Sequence, residues 1–251
     1  MFPEIKIIGL TGIPVIRSGD NLTEIILATA RRQGVKISNG DVIVITQKIV
    51  SKAEGRLINL DKVAPSSFAL EIAKKTGKDP RYVDIILKET KNIVKITNKI
   101  LIIETKHGFV CANAGVDRSN VSKHEIVALL PKNPDKSAKQ IRNEIKRKIG
   151  VEVAVIISDT FGRPWREGHI NVAVGVAGMK PITDYRGKKD MFGYVLKVTT
   201  MAIADELASA AELVMGKTNS IPVAILKGFK YPKGGGTAKE LVRPLEKDLF
   251  R

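Results

Sequence analysis

The chain has 251 residues, 43% of them hydrophobic, with 42 Lys and Arg set against 26 Asp and Glu for a formal net charge of +16. That supplies core material for one large domain or two small ones, and the absence of any low-complexity tract excludes wholesale disorder. The apolar runs at 153–157 and 172–179 stop well short of the ~18 residues of a membrane span, so no membrane partner is expected. The opening MFPEIKIIGLTG lacks the basic start and long apolar stretch of a secretory leader. Cys111 is the only cysteine, which rules out an intrachain disulfide and makes a reducing compartment, the cytoplasm, the expected setting. The positive balance attracts polyanions, but the bases are scattered and aromatics make up only 5%, too few for a base-stacking platform. A lysine-rich surface suited to high temperature, or to an anionic small-molecule substrate, is preferred over a nucleic-acid partner.

In chain order, residues 5–8 read as a short strand and 9–14 as a loop punctuated by Gly and Pro. Asn21 caps a helix running through Gln33, and Gly34 ends it. Residues 41–46 form a β-branched strand leading into QKIVSKAEGR. Helices follow at 66–76 and 80–89, the second with Asp79 as its cap and Pro80 at its first position. Strands are expected at 93–97, 99–104 and 109–112, the first two joined by a tight return at Asn98. In the basic stretch 132–148, Ile141, Ile145 and Ile149 recur every four residues as a buried stripe, and Gly150 stops the helix. Residues 151–158 are apolar almost throughout, as in a strand covered on both faces, and 170–176 alternates as another. A long alanine-rich helix is expected over 195–215, with Ala202, Leu207, Ala210, Leu213 and Val214 at helical spacing. A strand at 221–226, a glycine run at 234–236 and a helix capped by Thr237 complete the chain. Strands and helices mix without a clean βαβα alternation, so the expected class is mixed α/β (α+β), one unit with a subdomain boundary near 131–137.

Familiar signatures fail. Gly216-Lys217-Thr218 ends like a P-loop, but the glycine required five residues earlier falls on Ala211 and a helix precedes it. Gly175 and Gly178 do not complete a dinucleotide fingerprint. His107, His124 and His169 lack zinc-ligand spacing.

Four polar segments remain, each joined to an expected strand. Gly12-Ile13-Pro14-Val15-Ile16 fixes a loop whose backbone groups stay available. QKIVSKAEGR at 47–56 offers Lys48, Lys52 and Arg56 to phosphates, with Glu54 to order one of them; an exposed amphipathic edge strand is the plain alternative. NAGVDRSN at 113–120 concentrates a carboxylate, amides and a hydroxyl, a donor set for a hard divalent cation. SDTFGRPWREG at 158–168 adds Asp159 and Thr160 for a metal and Arg163 and Arg166 for phosphate or carboxylate, around the only tryptophan, Trp165. Carboxylates at two strand ends with three or more cations describe a site for a metal-bound polyphosphate.

These segments, with MGK…IPVAILKG, stand in the order seen in the coenzyme F420-0:L-glutamate ligase family, which the chain resembles from about Gly12 to Gly228. The resemblance implies GTP-dependent addition of L-glutamate, through γ-linked amide bonds, to F420-0 and then to the growing tail. It also implies Mg²⁺ or Mn²⁺, help from K⁺, and an intertwined homodimer with a fold of its own. Asp117, Asp159 and Thr160 match divalent-metal ligands. Ile13, Pro14, Val15, Ile16, Gln47, Lys48, Lys52, Asn120, Met215, Gly216, Lys217 and Thr218 match GTP contacts, and Lys52, Arg163 and Arg166 are the expected catalytic cations. One departure stands out: an acidic metal ligand can follow MG in archaeal relatives, where this chain has Lys217, which pairs with phosphate instead. The alternatives are another nucleotide-dependent carboxylate–amine ligase, a basic nucleic-acid-binding protein, or a catalytically inactive relative.

Overall fold

The computed structural model describes residues 2–119 and 125–249. In chain order its elements are β1 (Lys6–Gly9), α1 (Leu22–Arg32), β2 (Val42–Thr46), α2 (Gln47–Ala53), β3 (Leu57–Asn59), α3 (Ser67–Thr76), α4 (Pro80–Lys88), β4 (Thr90–Ile96), β5 (Leu101–Thr105), β6 (Val110–Ala112), β7 (Ile126–Ala128), α5 (Pro134–Ile149), β8 (Ala154–Arg163), β9 (Arg166–Ala177), β10 (Thr183–Asp184), β11 (Thr200–Met201), α6 (Ile203–Met215) and β12 (Val223–Lys227). A five-stranded sheet runs in the order β1-β12-β2-β8-β9. Its central pair, β2 and β8, is parallel, and every other neighbour is antiparallel. This is the mixed α+β class that the uneven alternation of elements implies.

Why the sheet forms is plain from its central strands. Residues 42–45 and 154–157 are fully buried, as continuous β-branched runs must be when both faces are covered. The larger core packs α5 and α6 against this sheet, with α1 packed on α5 and α2. A second core is drawn from residues 60–129, where α3, α4, β5 and the turn before Asp117 close over Leu101, Ile103, Val83 and Ile86. The chain therefore leaves the sheet after α2, builds the smaller core, and returns through α5 to β8.

The helix ends follow local chemistry. Asn21, Ser66, Asp79 and Asn133 each accept a backbone N–H as N-caps, and Gly77 and Gly150 close α3 and α5 in the left-handed conformation. Four expectations are corrected. QKIVSKA is a helix, because burying Ile49 and Val50 on one side suits a 3.6-residue period better than an edge strand. The helix expected over 195–215 begins only at Ile203. Residues 185–199 instead form an exposed arm closed by bonds such as Gly187 N–H to Leu196 O (2.8 Å). Leu213 is 81% exposed and Ile149 38%, so neither belongs to the buried stripe of its helix. Thr237 caps only a single 3-10 turn, Ala238–Leu241, through a reciprocal pair with Glu240. Among the described residues no helix is long and apolar enough to cross a membrane.

Gly175 marks where α5 meets the sheet. A Cβ there would stand 2.6 Å from the carbonyl carbon and oxygen of Pro134, the first residue of α5, where backbone cannot yield cheaply. Gly175→Ala is expected to lower unfolding free energy by about 1–3 kcal/mol, the usual cost of overpacking, with urea denaturation as the measurement.

Candidate functional site

Three of the polar segments and the MGK stretch converge on one cavity, and NAGVDRSN reaches its edge through the Asp117–Lys48 ion pair. A cavity of about 300 Å³ is lined by Ile13, Pro14, Val15 and Ile16, by Gln47, Lys48 and Lys52, by Ser158, Asp159 and Thr160, and by Met215, Gly216, Lys217 and Thr218. Such a volume is within the small-molecule range of roughly 300–1,000 Å³. Two larger clefts lie elsewhere, one between α1, α2 and α5 and one beside the glycine run. Of the residues assigned a role from the sequence, they take only Glu54, so volume does not mark this site; chemistry does.

Each wall has a local cause. β8 does not stop at Ser158 but continues to Arg163, pairing with β9 past the end of β2, which places Asp159 and Thr160 within a hairpin rather than beyond a strand end. α2 begins at Gln47, directly after β2, so Lys48 and Lys52 lie one turn apart on the same face. At the end of α6, Gly216 takes φ 58°, ψ −173°, a conformation open essentially to glycine alone, and turns Lys217 back to the cavity.

Asp117 enters from the smaller core. It is bridged to Ala128 by both backbone bonds (3.0 and 2.8 Å), and the Tyr82 hydroxyl donates to the neighbouring Val116 carbonyl at 2.7 Å. Its carboxylate pairs with Lys48 Nζ at 2.8 Å and accepts the Ser119 N–H at 2.6 Å; Lys48 also donates to Ser119 Oγ. Burial pushes the Asp117 carboxyl up, but these bonds and the Lys48 charge outweigh it and hold it below the usual carboxylate range. Arg118 turns away, its guanidinium 4.5 Å from the Tyr82 ring centroid and 3.6 Å from Asp79.

Asp159 has the opposite fate. Burial raises its carboxyl to about 7, and the Asp117 charge adds to that. The Thr160 backbone N–H, Lys48 and the nearby Gln47 amide only partly counter the rise. Two adjacent carboxylates, one of them pushed toward its neutral form, are the donor set that a divalent cation stabilises, and Mg²⁺ commonly uses one or two carboxylates with water and phosphate oxygens. Among the described residues no group of three or more His, Cys, Asp or Glu side chains gathers for a metal, so protein carboxylates alone make a sparse shell. Thr160 Oγ1 donates to Asn171 Oδ1 at 2.8 Å and accepts from Lys217 Nζ at 2.8 Å. Lys217 also reaches Asn171 Oδ1 at 2.9 Å and Glu212 at 3.5 Å. Burial and the Lys48 charge lower the pKa of Lys52.

Not every expected residue comes to the cavity. Asn120 lies outside the described residues. Arg163 and Arg166 pair across the hairpin tip, where Arg163 Nη2 donates to the Glu167 carbonyl at 2.6 Å, and neither lines the cavity. Trp165 sits exposed in the tip with φ 63°. Arg56 is committed to Glu89 (2.9 Å) and the Leu130 carbonyl, and Glu54 accepts from Ser137, so neither serves the cavity. Asn171 went unrecognised in the sequence; the signal was a buried amide inside an apolar strand, which needs a partner. Gln47 Nε2 and Ser158 Oγ, both buried against this cavity, have no hydrogen-bond partner among the described residues. Each such orphan costs about 1–3 kcal/mol, which a bound ligand would return.

The family model described as F420-0:Gamma-glutamyl ligase matches residues 11–228. The chain is 49% identical over 251 residues to "Coenzyme F420:L-glutamate ligase" of Methanocaldococcus jannaschii, covering 99% of this chain and 97% of that protein. It is 46% identical over 250 residues to the protein of the same name from Methanothermobacter thermautotrophicus, covering 98% and 99%. With the one from Methanopyrus kandleri it shares 44% over 241 residues, covering 94% and 93%.

The raised carboxyl of Asp159 gives a pH signature in protein stripped of metal. Its unfolded pKa is about 3.9 and its folded value about 7. Between these the folded state binds the extra proton, so this group's contribution to stability falls as pH rises. Asp159→Asn is therefore expected to be more stable than the wild type at pH 8, with the advantage shrinking as pH drops through 7 toward 4. Urea unfolding in EDTA across that range measures it; equal stability at every pH would refute the shift.

Proposed function

The chain belongs to the F420-0:gamma-glutamyl ligase family, and we propose that it joins L-glutamate to coenzyme F420-0 through a γ-linked amide, and then extends F420-1, at the expense of GTP. The observation that carries this reading is the convergence of Lys48, Lys52, Lys217 and Asp159 on one cavity, with Asp117 held beside it by its ion pair with Lys48. Lys48, Lys52 and Lys217 would supply charge for a polyphosphate, and Asp117 and Asp159 would hold Mg²⁺ or Mn²⁺, with K⁺ as a further aid. The divalent ion neutralises charge on the phosphate oxygens when bound.

A carboxylate does not react with an amine in water, because its oxygen is a poor leaving group. In the proposed sequence a substrate carboxylate oxygen attacks the γ-phosphorus, the bond to the β-phosphate oxygen breaks, and GDP leaves. The glutamate amine then attacks the acyl carbon of the resulting acyl phosphate, phosphate departs, and the amine's proton passes to solvent. The lysines orient the phosphates and offset the negative charge as it shifts toward GDP. Arg163 and Arg166, at the hairpin tip, are placed to receive an anionic part of the acceptor as it approaches from outside the cavity.

The arm at 185–199 fits a second copy of the chain. Met191, Phe192, Tyr194 and Val198 are exposed on it, Phe192 by 86%, while Asp190 fixes its turn by accepting the Phe192 and Tyr194 N–H groups at 2.9 Å. An ordered segment that displays apolar side chains marks a protein contact.

With F420-0, L-glutamate, GTP and Mn²⁺, mass spectrometry is expected to find added glutamyl units, and ATP in place of GTP to give far fewer. Asp159→Ala should cut turnover by roughly 100-fold or more; near-normal turnover would sink the metal assignment. Sedimentation should show a dimer that Met191→Asp with Phe192→Asp converts to monomer.

A further inference from the structure

The candidates outside the reaction scheme are few. The cleft beside the glycine run is lined by Lys136, Lys139, Arg142 and Lys233, but Arg142 is already bound to the Val153 carbonyl, and surface lysines alone define no ligand. Cys111 is buried with its thiol pushed up to about 12 by that burial, and is inert at neutral pH. Ser158 is different. It is 1% exposed, lines the cavity, and its Oγ has no hydrogen-bond partner among the described residues. Backbone pairing to β2 and β9 fixes its position, and its neighbour across the parallel pair is Thr46, the last residue of β2. Beside it in the chain order of that neighbour comes Gln47, also 1% exposed. The Gln47 Oε1 is spent accepting from Ser51 Oγ at 2.8 Å, which leaves its Nε2 donors unclaimed. Its amide lies near enough to Asp159 to favour the charged carboxylate, but not within hydrogen-bond reach.

We propose that Ser158 is a ligand-binding residue, and that its Oγ–H and the Gln47 amide form a paired donor site for a phosphate oxygen of the nucleotide. Three observations support it. Both groups can donate; Ser158 Oγ has no partner among the described residues, and the Gln47 amide lies against the Asp159 carboxyl without reaching full hydrogen-bond geometry. Both stand at the carboxyl end of the parallel pair β2–β8, where ligand crevices of α/β sheets open. And of the charged groups lining the same cavity, three are lysines, Lys48, Lys52 and Lys217, against the single carboxylate Asp159, a balance that suits an anion rather than a neutral carbonyl. A serine kept for packing would leave its hydroxyl bonded to a nearby carbonyl; here it is bonded to nothing described, so the folded protein bears a desolvation cost that only a bound acceptor relieves.

This inference rests on the nucleotide reading of the cavity, and its test separates the two. Calorimetry with GDP, pyrophosphate and guanosine as probes is run on the wild type and on Ser158→Ala and Ser158→Thr, alongside thermal unfolding without ligand. Ser158→Ala is expected to be at least as stable as the wild type, since it deletes an unpaired buried hydroxyl. It should nonetheless bind GDP and pyrophosphate roughly ten-fold more weakly, with guanosine unchanged. Ser158→Thr, which retains a hydroxyl, should recover part of that affinity where the added methyl is accommodated. A serine that only packs would give the reverse, lower stability with unchanged GDP affinity, and overturn the proposal. An equal loss for guanosine and GDP would overturn the phosphate assignment, placing the hydroxyl on the base or ribose. A wild type that binds none of the three probes would overturn the nucleotide reading, and this inference with it.

Discussion

Asp159 and Asp117 are carried to the same place by different hydrophobic cores, and neither core can move to relieve the repulsion between them. β8 is held on both sides by β2 and β9 in the larger core, while Asp117 is clamped to Ala128 and, through Val116, to Tyr82 in the smaller one. The protein divides that repulsion unevenly. Lys48 pairs with Asp117, while burial and the Asp117 charge drive Asp159 toward its protonated form, a rise that Lys48 only partly counters. A cation shared by both would remove the conflict.

The lysines show the same economy of placement. Lys48 and Lys52 occupy positions i and i+4 of α2, where like charges cost a helix about 0.2–0.5 kcal/mol, and α2 has no side-chain N-cap to compensate. What holds the helix is burial of Ile49, Val50 and Ser51 beneath it, together with its direct continuation from β2. Local preference is overruled by packing, and the residue types that lose by the arrangement are those a polyanion would reward.

This explains how much could be read from the sequence. The central strands, the capped helices α1, α3, α4 and α5, and the mixed class were legible because continuous apolar runs, Asx and Ser caps and terminal glycines act over a few residues. The segments that line the cavity were legible too, since charged and glycine-rich stretches next to apolar strands have few purely structural explanations. What failed depended on distant contacts. QKIVSKA alternates like an edge strand, and only the core above it makes it a helix. The helical spacing starts only at Ala202, and residues 195–201 are taken up instead by pairing with 183–189, so the helix starts late and the arm stays out. Arg163 and Arg166 sit in a motif with Asp159, yet β8 is extended there, and at over 3 Å per residue four residues carry Arg163 out of the cavity.

The same extended geometry divides the cation chemistry of β8. Successive side chains of a strand point to opposite faces, so Asp159 and Thr160 address different sides of one hairpin. Asp159 faces the α2 side, within the influence of Gln47, Lys48 and Asp117. Thr160 faces the end of α6, where its hydroxyl is engaged with Asn171 and the Lys217 ammonium. Lys217 brings its positive charge to the oxygens of that second face, and Glu212 at 3.5 Å steadies it. The two faces thus carry different kinds of charge: a carboxylate pair on one side, and a covalently tethered ammonium on the other. A tethered charge needs no ion from solution and cannot be chelated away. The Lys217 ammonium is therefore a fixed charge of its face, whereas the carboxylates of the other face are balanced within the chain only by Lys48.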